Sequence, residues 1–426
     1  MTSIEGNKLY ECALRYPVLR SRGVRAGLFF FNFYLIITAL YQLKPASRSL
    51  FIEFVGAAHL PYVWIAVALA MGLFISVYDR LVSRFSRRHV VMATTLIFGV
   101  ILLAFRIWFF FPGKAAASCF YIFEDIQSVV LVEQFWSLAN SVYSTREGKS
   151  WYGFVGTGGL LGGITGGGIS ALLIRYTHFT TYDLLISAAI TLFLIFTLTL
   201  IMGRLGLFCE VDDTGPDKEG ASVEPKTDFK PYLILIAAIL LLSQLVSPII
   251  QYQFLNAVEK SYPHVEARTA FLGMFFSLLS TVAITVNLIV TPFVHRVFGP
   301  IAGLLAQPLA IIVFSGLFLF NPTLFFAGAT NIGDRGLSYS INRASKELLY
   351  VPIGSLLIYR AKAWIDMLGY RLFKVVGSVL ILIVAALVHS RTRVFYLTLT
   401  TMLVCGIWLV LIGCIRTHYR MLKLTF

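Results

Sequence analysis

Long apolar stretches alternate with short polar ones along almost the whole chain. A helix needs about 20 mostly apolar residues to cross the hydrocarbon core of a bilayer. Runs near that length fall at 25–43, 60–78, 90–112, 117–141, 152–174, 182–203, 231–256, 269–294, 298–320, 322–348, 365–388 and 395–415. The pattern predicts an all-α membrane protein of about twelve transmembrane helices. The longest hydrophilic break holds Glu210, Asp212, Asp213, Pro216, Lys218 and Lys226. It divides the chain into a six-helix bundle over 1–204, a connector over 205–230 and a second six-helix bundle over 231–426.

Composition strengthens this picture. Of 426 residues, 58% are hydrophobic and 13% are charged, against roughly a quarter charged in a soluble domain. The formal charge of +14 comes from Lys and Arg in short loops between apolar runs, which is how cytoplasmic loops are anchored. No nucleic-acid partner is expected. Most of these cations lie on the side of the even-to-odd loops, among them Arg80, Arg84, Arg87, Arg146, Lys149 and Arg360. Both termini are therefore expected in the cytoplasm, with the bacterial inner membrane as host and the lipid bilayer as partner. The first apolar run lacks a small-residue cleavage site, so it reads as a retained span. Cys12, Cys119, Cys209, Cys405 and Cys414 are scattered without a C-x-x-C, so neither a disulfide framework nor a metal site is indicated.

The fourth run of each half is amphipathic. Glu133, Ser137, Asn140 and Ser144 recur at three- and four-residue steps, as do Asp334, Ser338, Asn342 and Ser345. Such spacing lines one helical face. Polar faces at matching places in two halves point to a cavity at a repeat interface, and the layout resembles the major facilitator architecture. Between 153 and 168, Gly158, Gly162 and Gly166 form one four-residue series and Gly159, Gly163 and Gly167 another. The stretch has no P-loop Lys-Ser/Thr, so close helix packing is the reading, with backbone approach to a substrate left open. The segment from Asp79 to Arg88, between spans two and three, resembles the gate latch of many major facilitator proteins; a plain cytoplasmic anchor fits equally.

Ionisable groups inside spans are costly, so they are paired or functional. The candidates are Lys44, Arg106, Glu124, Asp125, Glu133, Asp334, Arg335, Lys346 and Glu347. No catalytic triad, H-E-x-x-H or Walker motif occurs. An enzyme is not indicated, nor is a cofactor.

Two blocks are more specific. One is Glu124 followed by Phe135-Trp-Ser-Leu-Ala-Asn140, Glu147-Gly-Lys149 and Trp151-Tyr-Gly. The other is Ser345-Lys-Glu-Leu-Leu-Tyr-Val-Pro352, then Lys362-Ala-Trp-Ile-Asp366 and Arg371-Leu-Phe-Lys374. They resemble the ATP/ADP translocases of obligate intracellular bacteria and plastids. That resemblance implies roles for Lys44, Glu124 and Lys362, and places Gln251 where the family carries an acid and Ser338 where it carries a Lys. It also implies a nucleotide as substrate. ATP carries close to four negative charges, which a ring of Lys44, Arg106, Arg335, Lys346 and Lys362 would answer if all faced one cavity.

The resulting expectation is a nucleotide exchanger working by alternating access as a monomer. Substrate would be bound by Lys44, Glu124, Gln251, Arg335, Lys346 and Lys362, while Asp79, Arg88, Glu133 and Asp334 would serve gating or coupling. Tyr41 and Trp136 could stack on a base. The alternatives are a major facilitator porter of another organic anion or solute, with or without proton coupling through Glu124 or Glu133, and a non-transporting membrane scaffold.

Overall fold

The computed structural model describes residues 21–82, 85–143, 145–208, 230–350, 369–389 and 392–425. It is helical throughout, with no strand among the described residues. The helices are α1 (Arg22–Phe54), α2 (Leu60–Val82), α3 (Arg87–Trp108), α4 (Lys114–Val142), α5 (Thr145–Tyr176), α6 (Leu184–Arg204) and α7 (Lys230–Ser261). They continue as α8 (Val265–Thr285), α9 (Thr291–Val297), α10 (Pro300–Phe320), α11 (Leu324–Leu337), α12 (Arg343–Tyr350), α13 (Tyr370–Leu387) and α14 (Arg393–Thr425). Wider π-type turns, Val286–Val290 and Ser338–Asn342, join α8 to α9 and α11 to α12.

Among the described residues, ten helical stretches are long and apolar enough to cross a membrane. The chain is a multi-pass integral membrane protein. The two remaining apolar runs fall short of that measure for visible reasons. The run at 322–348 is broken by the π segment and carries Asp334, Arg335, Arg343, Lys346 and Glu347. The run at 365–388 begins outside the described residues, and the side chain of Tyr370, the first residue of α13, lies outside them too. The first helix differs most from its expected length. It runs on from the apolar stretch at 25–43 through Lys44, Pro45 and Arg48 to Phe54. Polar residues and a proline need not end a span where their groups find partners, and both Nη groups of Arg48 find them, as shown below.

Two compact units emerge. One comprises Met1–Val55, Leu69–Lys218 and His264–Thr281; the other comprises Gly56–Ala68, Glu219–Pro263 and Val282–Phe426. In the first, the core is aromatic: Phe33 stacks on Phe135 at 4.5 Å, and Phe29 meets Phe135 edge-on at 6.0 Å. In the second, Trp408, Cys405 and Ile412 of α14 pack with Ile236, Leu240 and Ile250 of α7 and with Leu304 and Ile311 of α10.

The glycines of α5 allow backbones to meet. A Cβ on Gly158, Gly162 or Gly166 would lie 2.6, 2.5 and 2.5 Å from the carbonyl oxygens of Phe30, Tyr34 and Thr38. These are successive turns of α1. The other series faces elsewhere: Gly159 abuts the Phe33 ring, while Gly167 faces Gly273 of α8, whose carbonyl oxygen a Cβ would approach to 2.6 Å. Ser277 of α8 donates to the Ile164 carbonyl at 2.9 Å across the same contact. Backbone cannot yield as a side-chain tip does, so Gly162→Ala is expected to destabilise by about 1–3 kcal/mol. Gly153→Ala, with open space around its site, is expected to stabilise by up to about 1 kcal/mol through helix propensity. Unfolding midpoints in detergent that move in the same direction for both variants would contradict this packing.

Candidate functional site

In the first unit, charge collects where α1 meets α4. Pro45 removes one backbone donor from the helix next to Lys44. One turn on, Arg48 is buried and its guanidinium reaches both carboxylates of α4. Nη1 donates to Glu124 and to Ser47 Oγ, and Nη2 donates to Asp125 Oδ1 at 2.5 Å. The same guanidinium lies over the Tyr121 ring, 4.4 Å from its centroid. Glu124 is 1% exposed, so without Arg48 it would be a bare charge in a low-dielectric core. Lys44 is half-buried, with Nζ 5.1 Å from the Tyr41 ring centroid and 5.5 Å from that of Phe276.

In the second unit the corresponding meeting is of α7 with α11. Pro248 lies inside α7, and its neighbour Ser247 donates to Asp334 Oδ2 at 2.6 Å. Gln307 of α10 donates through Nε2 to Asp334 Oδ1 at 3.0 Å and to its backbone oxygen at 3.2 Å. Arg335 donates through Nη2 to Gln251 Oε1 at 2.7 Å and through Nη1 to Tyr339 at 3.3 Å. Its Nε stands 3.7 Å from Asp334 Oδ2. Asp334 is 2% exposed, whereas the Arg335 side chain is 27% exposed.

The two clusters therefore share a plan with different chemistry. In the first unit, cations stand on the first helix and acids on the fourth. In the second, acid and cation are adjacent on the fourth helix, and α7 supplies a hydroxyl and an amide. Cations and carboxylates balance in each: Lys44 and Arg48 against Glu124 and Asp125, and Arg335 against Asp334.

Other expected site residues lie apart from these clusters. Glu133 is exposed on the opposite side of α4, with Ser137 and Asn140, and Asn140 accepts from Tyr152 at 2.7 Å. Arg106 is engaged by Asp183 at 2.9 Å, so the ring of five basic residues is not assembled from it. Lys346 is buried on α12. The Arg88 guanidinium rests against Gly203 of α6; Asp79 falls within α2, and its side chain, like all of Lys362, lies outside the described residues. Trp136 packs edge-on against Phe33 at 5.3 Å and Tyr152 at 5.5 Å, and Tyr41 packs beneath Lys44.

Arg48, Ser247 and Gln307, which hold the acids of these clusters, escaped the sequence reading. Arg48 had a usable signal, since it follows Lys44 by four residues and so shares its helical face. Ser247 and Gln307 had none, because a lone Ser or Gln in an apolar run is unremarkable.

Comparison with known proteins places this geometry. The model of the TLC ATP/ADP transporter family matches residues 113–210 and 319–419. Over these two segments, a little under half of its length, the chain is similar to that family. Its matched segments hold α4 and α11, hence Glu124, Asp125, Asp334 and Arg335, whereas Lys44, Arg48, Ser247 and Gln251 lie outside them. ADP,ATP carrier protein 1 of Chlamydia pneumoniae is 23% identical over 343 residues, covering 69% of this chain and 65% of that protein. ADP,ATP carrier protein 3 of Rickettsia prowazekii is 19% identical, covering 71% and 70%. The chain thus spans about two thirds of the length of such relatives. Its fold is that of transporters in the major facilitator style. A bacterial homologue of the iron transporter ferroportin, in an inward-facing state, matches with a TM-score of 0.62 at 12% identity, covering 92% of this chain and 98% of that one. The nucleoside transporter NupG matches with a TM-score of 0.52 at 14% identity, covering 92% and 97%.

Proposed function

We propose that this chain is a nucleotide exchanger of the ATP/ADP type, working by alternating access. The observation that carries the reading is the family match over both α4–α6 and α11–α14, together with basic side chains in each unit. Lys44 and Arg335 are only partly buried and are the described cations best placed to take phosphate oxygens. Arg335 offers a planar fork suited to two oxygens at once. Gln251 orients that fork by accepting from it. Lys346 and Lys362 complete the basic set. Arg48 serves differently, holding Glu124 and Asp125. Glu133 and the pair Asp79 and Arg88 belong to gating in this reading.

The protein works as a monomer with halves 1–204 and 231–426 joined by the connector at 205–230. The connector and both tails lie on the cytoplasmic face of a bacterial inner membrane, as the distribution of Lys and Arg supports.

One observation favours a second reading. The balance of charge in both clusters, with Gln251 neutral, suits an organic anion carrying less charge than ATP. Purified protein in liposomes separates the two readings. Labelled ADP uptake that is stimulated by internal ATP or ADP and competed by external ATP supports the first. Exchange of a monovalent organic anion that nucleotides fail to compete supports the second.

A further inference from the structure

We propose that Asp334 takes up a proton when an anionic substrate binds Arg335, so that substrate and proton move together. This inference rests on the reading of Arg335 as a phosphate handle.

The two buried acidic sites differ in how their charge is held. Glu124 and Asp125 are both gripped directly by Arg48, itself buried. Asp334 is just as buried, yet its direct hydrogen bonds come from neutral groups, the Ser247 hydroxyl at 2.6 Å and the Gln307 amide at 3.0 Å. Ser247 and Gln251 face this corner from α7, Gln307 from α10 and the Cys405 thiol from α14. Among the described residues, the cation acting on Asp334 is Arg335, whose Nε is 3.7 Å away. That same guanidinium is the more exposed of the pair and directs Nη2 to Gln251.

One cation therefore stands between a buried carboxylate and the place where an anion would dock. A phosphate on Arg335 would put a second negative charge against the same guanidinium. A carboxylate that must share its neighbouring cation while remaining out of water is strongly disfavoured. A proton from the water that admits the substrate, bound to an Asp334 oxygen, removes that charge, and release of the substrate returns it.

The surroundings accept either form of the acid. A hydroxyl both donates and accepts, so Ser247 can reverse its bond by rotation. Gln307 holds a second resource: its Oε1 is a buried acceptor without a partner, and a flip of the amide turns that oxygen toward a protonated Asp334. Direct ion pairing offers no such reversal, and among the described residues Glu124 is held by the Arg48 guanidinium.

Proton counting tests the inference. Purified protein in weakly buffered detergent at pH 8, where the ADP phosphates are already ionised, receives ADP while a pH dye reports protons taken up. Bound ADP is measured in parallel with label. About one proton per bound ADP is expected for the wild type, and none per bound ADP for Asp334→Asn. Asp334→Ser replaces it if the Asn variant does not fold. Wild-type protein that binds ADP and takes up no proton would overturn the inference while leaving nucleotide transport standing. An unchanged proton count in Asp334→Asn would overturn it as well, by placing the proton elsewhere. Absence of ADP binding in the wild type would overturn the nucleotide reading itself.

Discussion

Arg48→Met is expected to lower stability by about 3–5 kcal/mol, the range seen when one partner of a buried ion pair is removed. The variant takes the directly bonded cation from buried Glu124 and from partly buried Asp125. The loss should appear as a much lower unfolding midpoint and a reduced monodisperse fraction in detergent. Charge, rather than volume, is the cause, because Met fills a similar length of apolar space. Neutralising the orphaned acids should therefore restore most of the stability. The triple variant Arg48→Met, Glu124→Gln, Asp125→Asn is expected to melt near the wild type, since well-packed neutral groups often replace a buried ion cluster at little cost. An Arg48→Met midpoint equal to that of the wild type would contradict the assignment of this cluster as a structural clamp.

The second large effect belongs to transport. Arg335→Gln is expected to weaken nucleotide binding by about 2–5 kcal/mol, as for one partner lost from a desolvated charge pair. That corresponds to a rise in apparent Kd of roughly thirtyfold to several thousandfold. Arg335→Lys should recover only part of the loss, because an ammonium keeps the charge without the planar fork. Arg335→Gln also strips Asp334 of its cation, so the fold must be separated from the site. The double variant Arg335→Gln, Asp334→Asn removes the stranded charge; its midpoint should recover while binding stays weak. Recovery of binding along with stability would show that Arg335 acts on the fold alone.

The hydropathy of the chain displayed the fold class because nearly every helix buries an apolar surface in lipid or against a neighbour. The same signal failed at the end of α1. Lys44, Pro45 and Arg48 read as the polar edge of a span, yet the helix continues to Phe54. The missing information was tertiary: Arg48 is tolerated there because Glu124 and Asp125, more than 70 residues away in sequence, neutralise it. The glycine series of α5 was visible as two smooth faces, but which helix each face meets was not, since both α1 and α8 present backbone to it. Of the candidate site, the charged residues of α4 and α11 were legible because such groups are rare within apolar runs. Their roles were not. Glu124 and Glu133 stand nine residues apart on one helix, one clamped in the core and the other exposed. Asp334 depends on a serine and a glutamine that no sequence pattern singles out.

Exchange is the property that most directly tests the central claim. Liposomes holding the purified protein would be loaded with unlabelled ADP, ATP, AMP or buffer alone, and the entry of labelled ADP followed from outside. A nucleotide exchanger of the ATP/ADP type gives uptake stimulated strongly by internal ADP or ATP, weakly by AMP, and abolished when protein is left out. Labelled ADP entry no faster into ADP-loaded or ATP-loaded vesicles than into protein-free ones would contradict the proposed function.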